Sequence, residues 1–220
     1  MKTPVLAAIE RRFTPGLVEL RADAAEGKQA RIGGYAAKFA ARSENMGWGD
    51  TEFFEVIEPG FFDNVLDDDC RCLFNHDANL ILGRNTSKTL RVSQDATGLG
   101  YECDADDGQS YTRDLLISLR RKDVTQSSFA FSVGRDGQRI VEEGKTITRY
   151  LKKGGCMRLY DVSPVTYPAY PAATSEARDI RTFLEQARRD GLISHDAAEA
   201  LAHAAHQRRA RELQLAELEG

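Results

Sequence analysis

His76 is the only histidine ahead of His195, and it sits in the stretch Leu73-Phe74-Asn75-His76-Asp77, between an apolar run and a glycine-containing turn. Imidazole is the one side chain whose unperturbed titration lies near neutrality, so His76 is the residue best suited to accept and return a proton. A base needs a group to activate, and the segment Gln126-Ser127-Ser128-Phe129-Ala130-Phe131-Ser132-Val133 offers one. There Phe129, Phe131 and Val133 alternate with Ser128, Ala130 and Ser132, which on a strand makes one bulky apolar face and one small hydroxylic face. Ser128 on such a strand could be a nucleophile if an imidazole stands within hydrogen-bond reach. By spacing alone, an ordinary strand with its serines facing solvent is the simpler account, because no glycine-flanked elbow surrounds Ser128.

The elements that must carry these residues are mostly strands. Period-two alternation predicts strands over 17–21, 31–39 and 53–57, the Gly33-Gly34 pair marking a bulge or close backbone approach. Residues 42–52, around the only tryptophan, read as a surface loop, and Glu58-Pro59-Gly60 opens a helical turn through Leu66. Further strands are expected over 70–75, 89–93, 99–104, 127–133, 139–142, 146–151 and 157–165, with turn chemistry at Ala96-Thr97-Gly98. One helix follows Asp106-Asp107-Gly108: Tyr111, Leu115, Leu116 and Leu119 share a face, and Arg120, Arg121 and Lys122 gather at the C-terminal end. Helices are too few for repeated βαβ units. The fold class is α+β: a mostly antiparallel β-barrel or strongly curved sheet, a few peripheral helices and a C-terminal helical extension.

Composition bounds the rest. The chain has 220 residues, 29% of them charged, with a net charge of -4, a pI of 5.7 and a mean hydropathy of -0.46. Part of the length is therefore expected to be a solvated helical extension. There is no long basic run, which argues against a grip on nucleic acid. Val5 to Ile9 is cut short by Glu10, Arg11 and Arg12 before it reaches the length of a signal-peptide core. No later stretch approaches a membrane span, so a reducing cytoplasm is expected. The organisation reads as a flexible leader over 1–15, a globular domain over 16–174 and a helical tail over 175–220. In the tail Gly191 splits two helical stretches, Ser194 is placed to cap the second, and Leu184, Ala187, Leu192, Leu201, Ala205, Leu213 and Leu218 form apolar stripes. Such stripes suit a helical hairpin or a partner helix, or simply a solvated appendage with one sticky face.

Four cysteines raise two further chemistries. Cys70 and Cys72 would share a strand face, with Cys103 and Cys156 on neighbouring strands, but no C-x2-C knuckle is present. Reduced cysteines acting as small buried hydrophobes are the expected state, with no metal, no cofactor and no disulfide framework. A thiol nucleophile would have no evident base except His76.

Several blocks, in order between about 31 and 175, together resemble the prohead protease family of tailed bacteriophages, the HK97-type capsid maturation proteases. They are Gly34-Tyr35-Ala36-Ala37-Lys38-Phe39, Glu58-Pro59-Gly60-Phe61-Phe62, Phe74-Asn75-His76-Asp77, Leu82-Gly83-Arg84, Thr89-Leu90, Gly98-Leu99, Arg113-Asp114-Leu115-Leu116, Ser128-Phe129-Ala130-Phe131 and the run from Val162 to Pro171. The resemblance implies a serine endopeptidase with a herpesvirus-assemblin-like fold, packaged inside the immature prohead in the host cytoplasm. Its implied substrates are the scaffold or major capsid protein precursor and itself, and self-association is left open. The family's serine falls on Ser128 and its histidine on His76. Ser-Phe-Ala-Phe stands here where relatives often have Ser-Phe-Gly-Phe, and Ser127 replaces a usual methionine.

The resemblance also frames the third member. Assemblin-like proteases orient their histidine with a second one, but His195, His203 and His206 all fall in the tail. A carboxylate is expected instead: Asp161, which stands where relatives often carry glutamate. Asp77 adjoins the base but, on a strand, would point to the opposite face, so it suits a turn or substrate contact. The loop containing Gly83 and Arg84 is a candidate source of oxyanion donors, because glycine allows close backbone approach. The run from Pro164 to Pro171 is expected to stiffen the exit from the domain. The competing reading is a non-catalytic capsid or scaffold-associated assembly protein that retains the fold.

Overall fold

Alternating large and small side chains draw the chain into eleven strands and one full helix among the described residues. The computed structural model describes residues 9–22, 29–47, 52–166, 182–187 and 189–194, and for 13–17 the backbone alone. The expectations for residues 1–8, for Trp48, for the end of the proline run and for the tail beyond Ser194 lie outside these residues. In chain order the elements are β1 (Glu10–Ala22), β2 (Ala30–Lys38), β3 (Glu52–Ile57), β4 (Arg71–Leu73), β5 (Ile81–Arg84), β6 (Leu90–Gln94), β7 (Gly98–Ala105), α1 (Ser110–Arg121), β8 (Gln126–Val133), β9 (Gln138–Glu143), β10 (Thr146–Leu151) and β11 (Cys156–Val165).

Eight strands form one sheet in the order β5-β4-β11-β8-β1-β2-β7-β6, and β3-β10-β9 form a second. The expected mostly-sheet, antiparallel character holds, with one parallel pair, β11 with β4. The expected barrel does not: among the described residues no ladder joins the end strands β5 and β6. Between them the chain turns at residues 85–88, where Thr89 N–H donates to Arg84 O at 3.2 Å and Arg84 N–H to the Thr89 hydroxyl at 2.9 Å. Residues 59–67 form successive turns instead of a helix, closed by Phe61 N–H to Glu58 O at 3.1 Å and Val65 N–H to Phe62 O at 3.1 Å. Gly60, at φ +83, takes a conformation that a right-handed helix excludes.

The chain divides into two compact units. The first comprises Met1–Ala41, Ile57–Gln138 and Leu151–Pro168. Its core rests on the apolar face of β8: Phe129 and Phe131 stack with centroids 5.0 Å apart, and each meets a second ring edge-on, Phe62 at 5.5 Å and Phe61 at 5.6 Å. Burying such a ring contributes roughly 3 kcal/mol. This packing fixes which face of β8 turns away from the core, and that face carries Ser128. Helix α1 buries Thr112, Leu115, Leu116 and Leu119 and ends with Lys122 in the left-handed region, its N–H donating to Leu119 O.

The second unit comprises Arg42–Val56, Arg139–Tyr150 and Ala169–Gly220. Met46, Phe53, Ile147, Leu184, Ala187 and Ile193 form its apolar cluster. Leu184 and Ala187 of the expected tail are thus buried. Arg149 is fully buried, paired with Glu55 at 2.6 Å and stacked over Phe183 at 3.9 Å. Gly191, at φ +66, follows the helical segment as its sequence position suggested. Ser194 donates through both N–H and hydroxyl to Glu142, at 3.0 and 2.7 Å.

Candidate active site

Three strands and one turn bring the chemistry together in the first unit. In the antiparallel ladder between β11 and β8, Ser163 lies opposite Ser128 and Asp161 opposite Ala130. Directly opposed residues project to the same face, so Asp161, Ser163 and Ser128 share one side of the sheet. His76 arrives from the turn after β4, which pairs with β11 at Asp161 and Val162. His76 Nε2 is 2.6 Å from Ser128 Oγ, and His76 Nδ1 is 2.6 Å from Asp161 Oδ1. Asp161 Oδ1 also accepts the Ser163 hydroxyl at 2.6 Å.

The turn that presents His76 is unusual in its backbone. Asn75 and His76 have φ values of +56 and +57, left-handed conformations that non-glycine residues adopt sparingly. Bonds to Asn75 hold the turn, among them Asn75 N–H to Pro164 O at 3.0 Å, Thr166 N–H to Asn75 Oδ1 at 2.9 Å, and Asn75 Nδ2 to Thr166 Oγ1 at 3.1 Å. The strand that carries Asp161 therefore also bolts down the turn that carries His76. Such local strain persists where surrounding bonds over-determine it, and it clusters at functional sites.

The site is dry. Ser128 and Ser163 are fully buried, and the side chains of His76 and Asp161 are 7% and 8% exposed. Serines facing solvent, the simpler account of β8, do not describe it: Ser127, Ser128 and Ser132 are all buried. Ser127 points to the other face, where its hydroxyl pairs with Tyr101 at 2.8 Å. The low dielectric of a buried setting strengthens each bond in the chain Ser163–Asp161–His76–Ser128.

The other sequence candidates go elsewhere. Asp77 folds an Asx turn, accepting Asn79 N–H at 2.8 Å. A methyl group on Gly83 would come within 2.5 Å of Cys103 Sγ, so glycine there serves close packing. Arg84 grips Asp69 through Nε at 2.6 Å and a terminal nitrogen at 2.7 Å. Neither Gly83 nor Arg84 enters the Ser128–His76–Asp161 network. All four cysteines are free and buried. Burial pushes the Cys156 thiol up to about 12, and pushes Cys70 and Cys72 up as well. A thiol held protonated is a poor nucleophile. Among the described residues no group of three or more His, Cys, Asp or Glu is placed to hold a metal ion. Sequence reasoning missed Ser163, although its two-residue spacing from Asp161 on a strand places both on one face.

A serine, an imidazole and a carboxylate linked in this order are the groups that acyl-transfer hydrolases use. Residues 17–187 match the family model of the caudovirus prohead serine protease, well over half of the chain, and the protein belongs to that family. No curated protein and no solved structure gives a significant match. No helix among the described residues is long and apolar enough to cross a membrane.

Proposed function

We propose that Ser128 is the nucleophile, His76 the general base and Asp161 the orienting acid of an endopeptidase that cuts scaffold or capsid precursor, and itself, inside the immature prohead. The observation that carries this reading is the pair of 2.6 Å contacts on the two ring nitrogens of His76. With Nδ1–H donated to Asp161, Nε2 carries the lone pair and takes the Ser128 proton as Oγ attacks a scissile carbonyl carbon. The imidazolium so formed is stabilised by Asp161 and returns the proton to the leaving amine. Water then repeats the sequence on the acyl-enzyme. Ser163 holds the carboxylate oxygen that faces the ring, which fixes the ring's tautomer and tilt.

The test is coexpression with the cognate capsid precursor, followed by intact-mass measurement of both chains. Wild type should yield shortened precursor, and Ser128→Ala should leave the precursor and the 220-residue chain full length. Identical masses for both would instead favour an assembly protein that retains the fold without the chemistry.

A further inference from the structure

We infer that the edge of β8 beside Ser128 is a groove for an extended peptide, and that residues 10–14 of this same chain occupy it as a removable plug. The inference rests on the endopeptidase reading, and four observations carry it.

The nucleophile's proton has two acceptors. Ser128 Oγ lies 3.0 Å from the backbone carbonyl oxygen of Arg12 as well as 2.6 Å from His76 Nε2. A hydroxyl has one proton, so donation to Arg12 O withdraws it from the base. Oγ then addresses the carbonyl oxygen, not the carbon, so the segment is held without being set up for attack.

Nothing from outside can reach the serine in this arrangement, because Ser128 has no exposed surface. A hydrolase acting on other chains requires a state in which some element moves aside.

The pairing shows which element. β8 has two edges, and β11 takes one of them along its length. The other is filled by antiparallel pairing with β1: Glu10 opposite Phe131, Arg12 opposite Phe129, Phe13 opposite Ser128 and Thr14 opposite Ser127. A substrate strand that adds to the nucleophile's strand has only this edge to use, and main-chain bonds there serve any sequence.

The segment is also separable. The register of β1 breaks between Thr14 and Leu17, at Pro15-Gly16, and the strand's later half pairs with β2 from Val18 onward. Val18 N–H is held to Thr125 O at 3.0 Å, so residues 10–14 can leave while the rest of β1 stays anchored. The family match begins at residue 17, beyond the break. Within the segment Arg12 pairs with Glu10 at 2.6 Å, and it lies 5.8 Å from the Phe131 ring centroid.

The test uses the full chain. Arg12→Pro removes a strand N–H and breaks the pairing, while Arg12→Asp keeps the N–H and sets a second carboxylate beside Glu10; a folded example of either suffices, checked by circular dichroism. One arm measures the rate at which a fluorophosphonate labels Ser128. Relative to wild type, the variant should label about tenfold faster, as expected when a minor open state becomes the major one, and a peptide of residues 9–14 added in trans should slow it again. Equal labelling of wild type and variant, unaffected by the peptide, overturns the groove while leaving the serine hydrolase reading intact. The other arm measures anisotropy of the fluorescein-labelled peptide, which needs no chemistry. Saturable binding to the variant and not to wild type supports the groove even if Ser128 never labels, an outcome that would sink the endopeptidase reading alone. Absence of binding to both overturns the groove.

Discussion

His76 Nδ1 and Asp161 Oδ1 lie 2.6 Å apart although 85 residues separate them in the chain. The contact follows from the parallel pairing of β4 with β11, which sets the turn after β4 beside Asp161. In the proposed mechanism the carboxylate does not act on substrate. Its proposed part is to select the tautomer that leaves Nε2 free to take the serine proton.

Asp161→Asn should therefore lower kcat on a peptide substrate by about ten-thousand-fold with KM little changed, because an amide can stabilise the wrong tautomer and does not balance an imidazolium. Steady-state kinetics on the folded variant decide the point. A loss confined to KM would show that Asp161 positions substrate instead.

Ser163 tests the next link. Its hydroxyl donates to a carboxylate in a buried setting, a bond contributing about 1.5–3 kcal/mol. Ser163→Ala should lower kcat by roughly ten- to a hundredfold, the rate equivalent of that energy, with KM unchanged, and Ser163→Thr should restore most of it. A variant that loses thermal stability but keeps kcat would make Ser163 a packing residue.

Asp69 should show its pairing directly. Its hydrogen bond from Arg84 lowers the carboxyl pKa to about 2. A folded value below the unfolded one gives stability that is present above about pH 4 and lost as pH falls through about 2. Both side chains are solvent-accessible, so screening keeps the contribution small. Carboxyl NMR titration should place the Asp69 midpoint near 2, and Arg84→Ala should return it toward the ordinary range. An unmoved midpoint would dissolve the pair.

The cysteines should be chemically silent. Burial raises Cys156 from 9.0 to about 12. A raised value in the folded state favours the neutral thiol, so this stability is present below about pH 9 and fades as pH climbs toward 12. Native protein should resist Ellman's reagent until unfolded, and iodoacetamide should leave peptidase activity intact. Rapid labelling of one thiol with parallel loss of activity would revive a cysteine nucleophile.

Much of this was legible in the residues. The alternation of Phe129 and Phe131 with Ser128 and Ala130 foretold two unlike faces, because strand side chains can only alternate. The stripe of Leu115, Leu116 and Leu119 foretold α1 for the same local reason. Resemblance pointed to Ser128, His76 and Asp161, and the structure sets the three in one network. What stayed hidden depends on contacts between distant segments. An open sheet and a closed barrel have the same strands and differ in one ladder, so no local pattern tells them apart. Gly83 was suggestive as a glycine, but its close approach to Cys103 depends on a strand distant in sequence and could not be read locally. The expected leader contains the start of β1 at Glu10, visible only once β8 is in place beside it.

The bonds from Asn75 to Pro164 and Thr166 carry one more consequence. They tie the turn that carries His76 to the end of the strand that carries Asp161, so the placement of the ring and of the carboxylate are coupled through the backbone. Sliding of β8 against β11 is opposed by the pleat, because a shift of one residue turns every side chain to the other face. One notch along would bring Ser127 to the imidazole's position with its hydroxyl on the wrong side of the sheet. Two adjacent serines thus provide a single address, and the paired strands keep it from drifting.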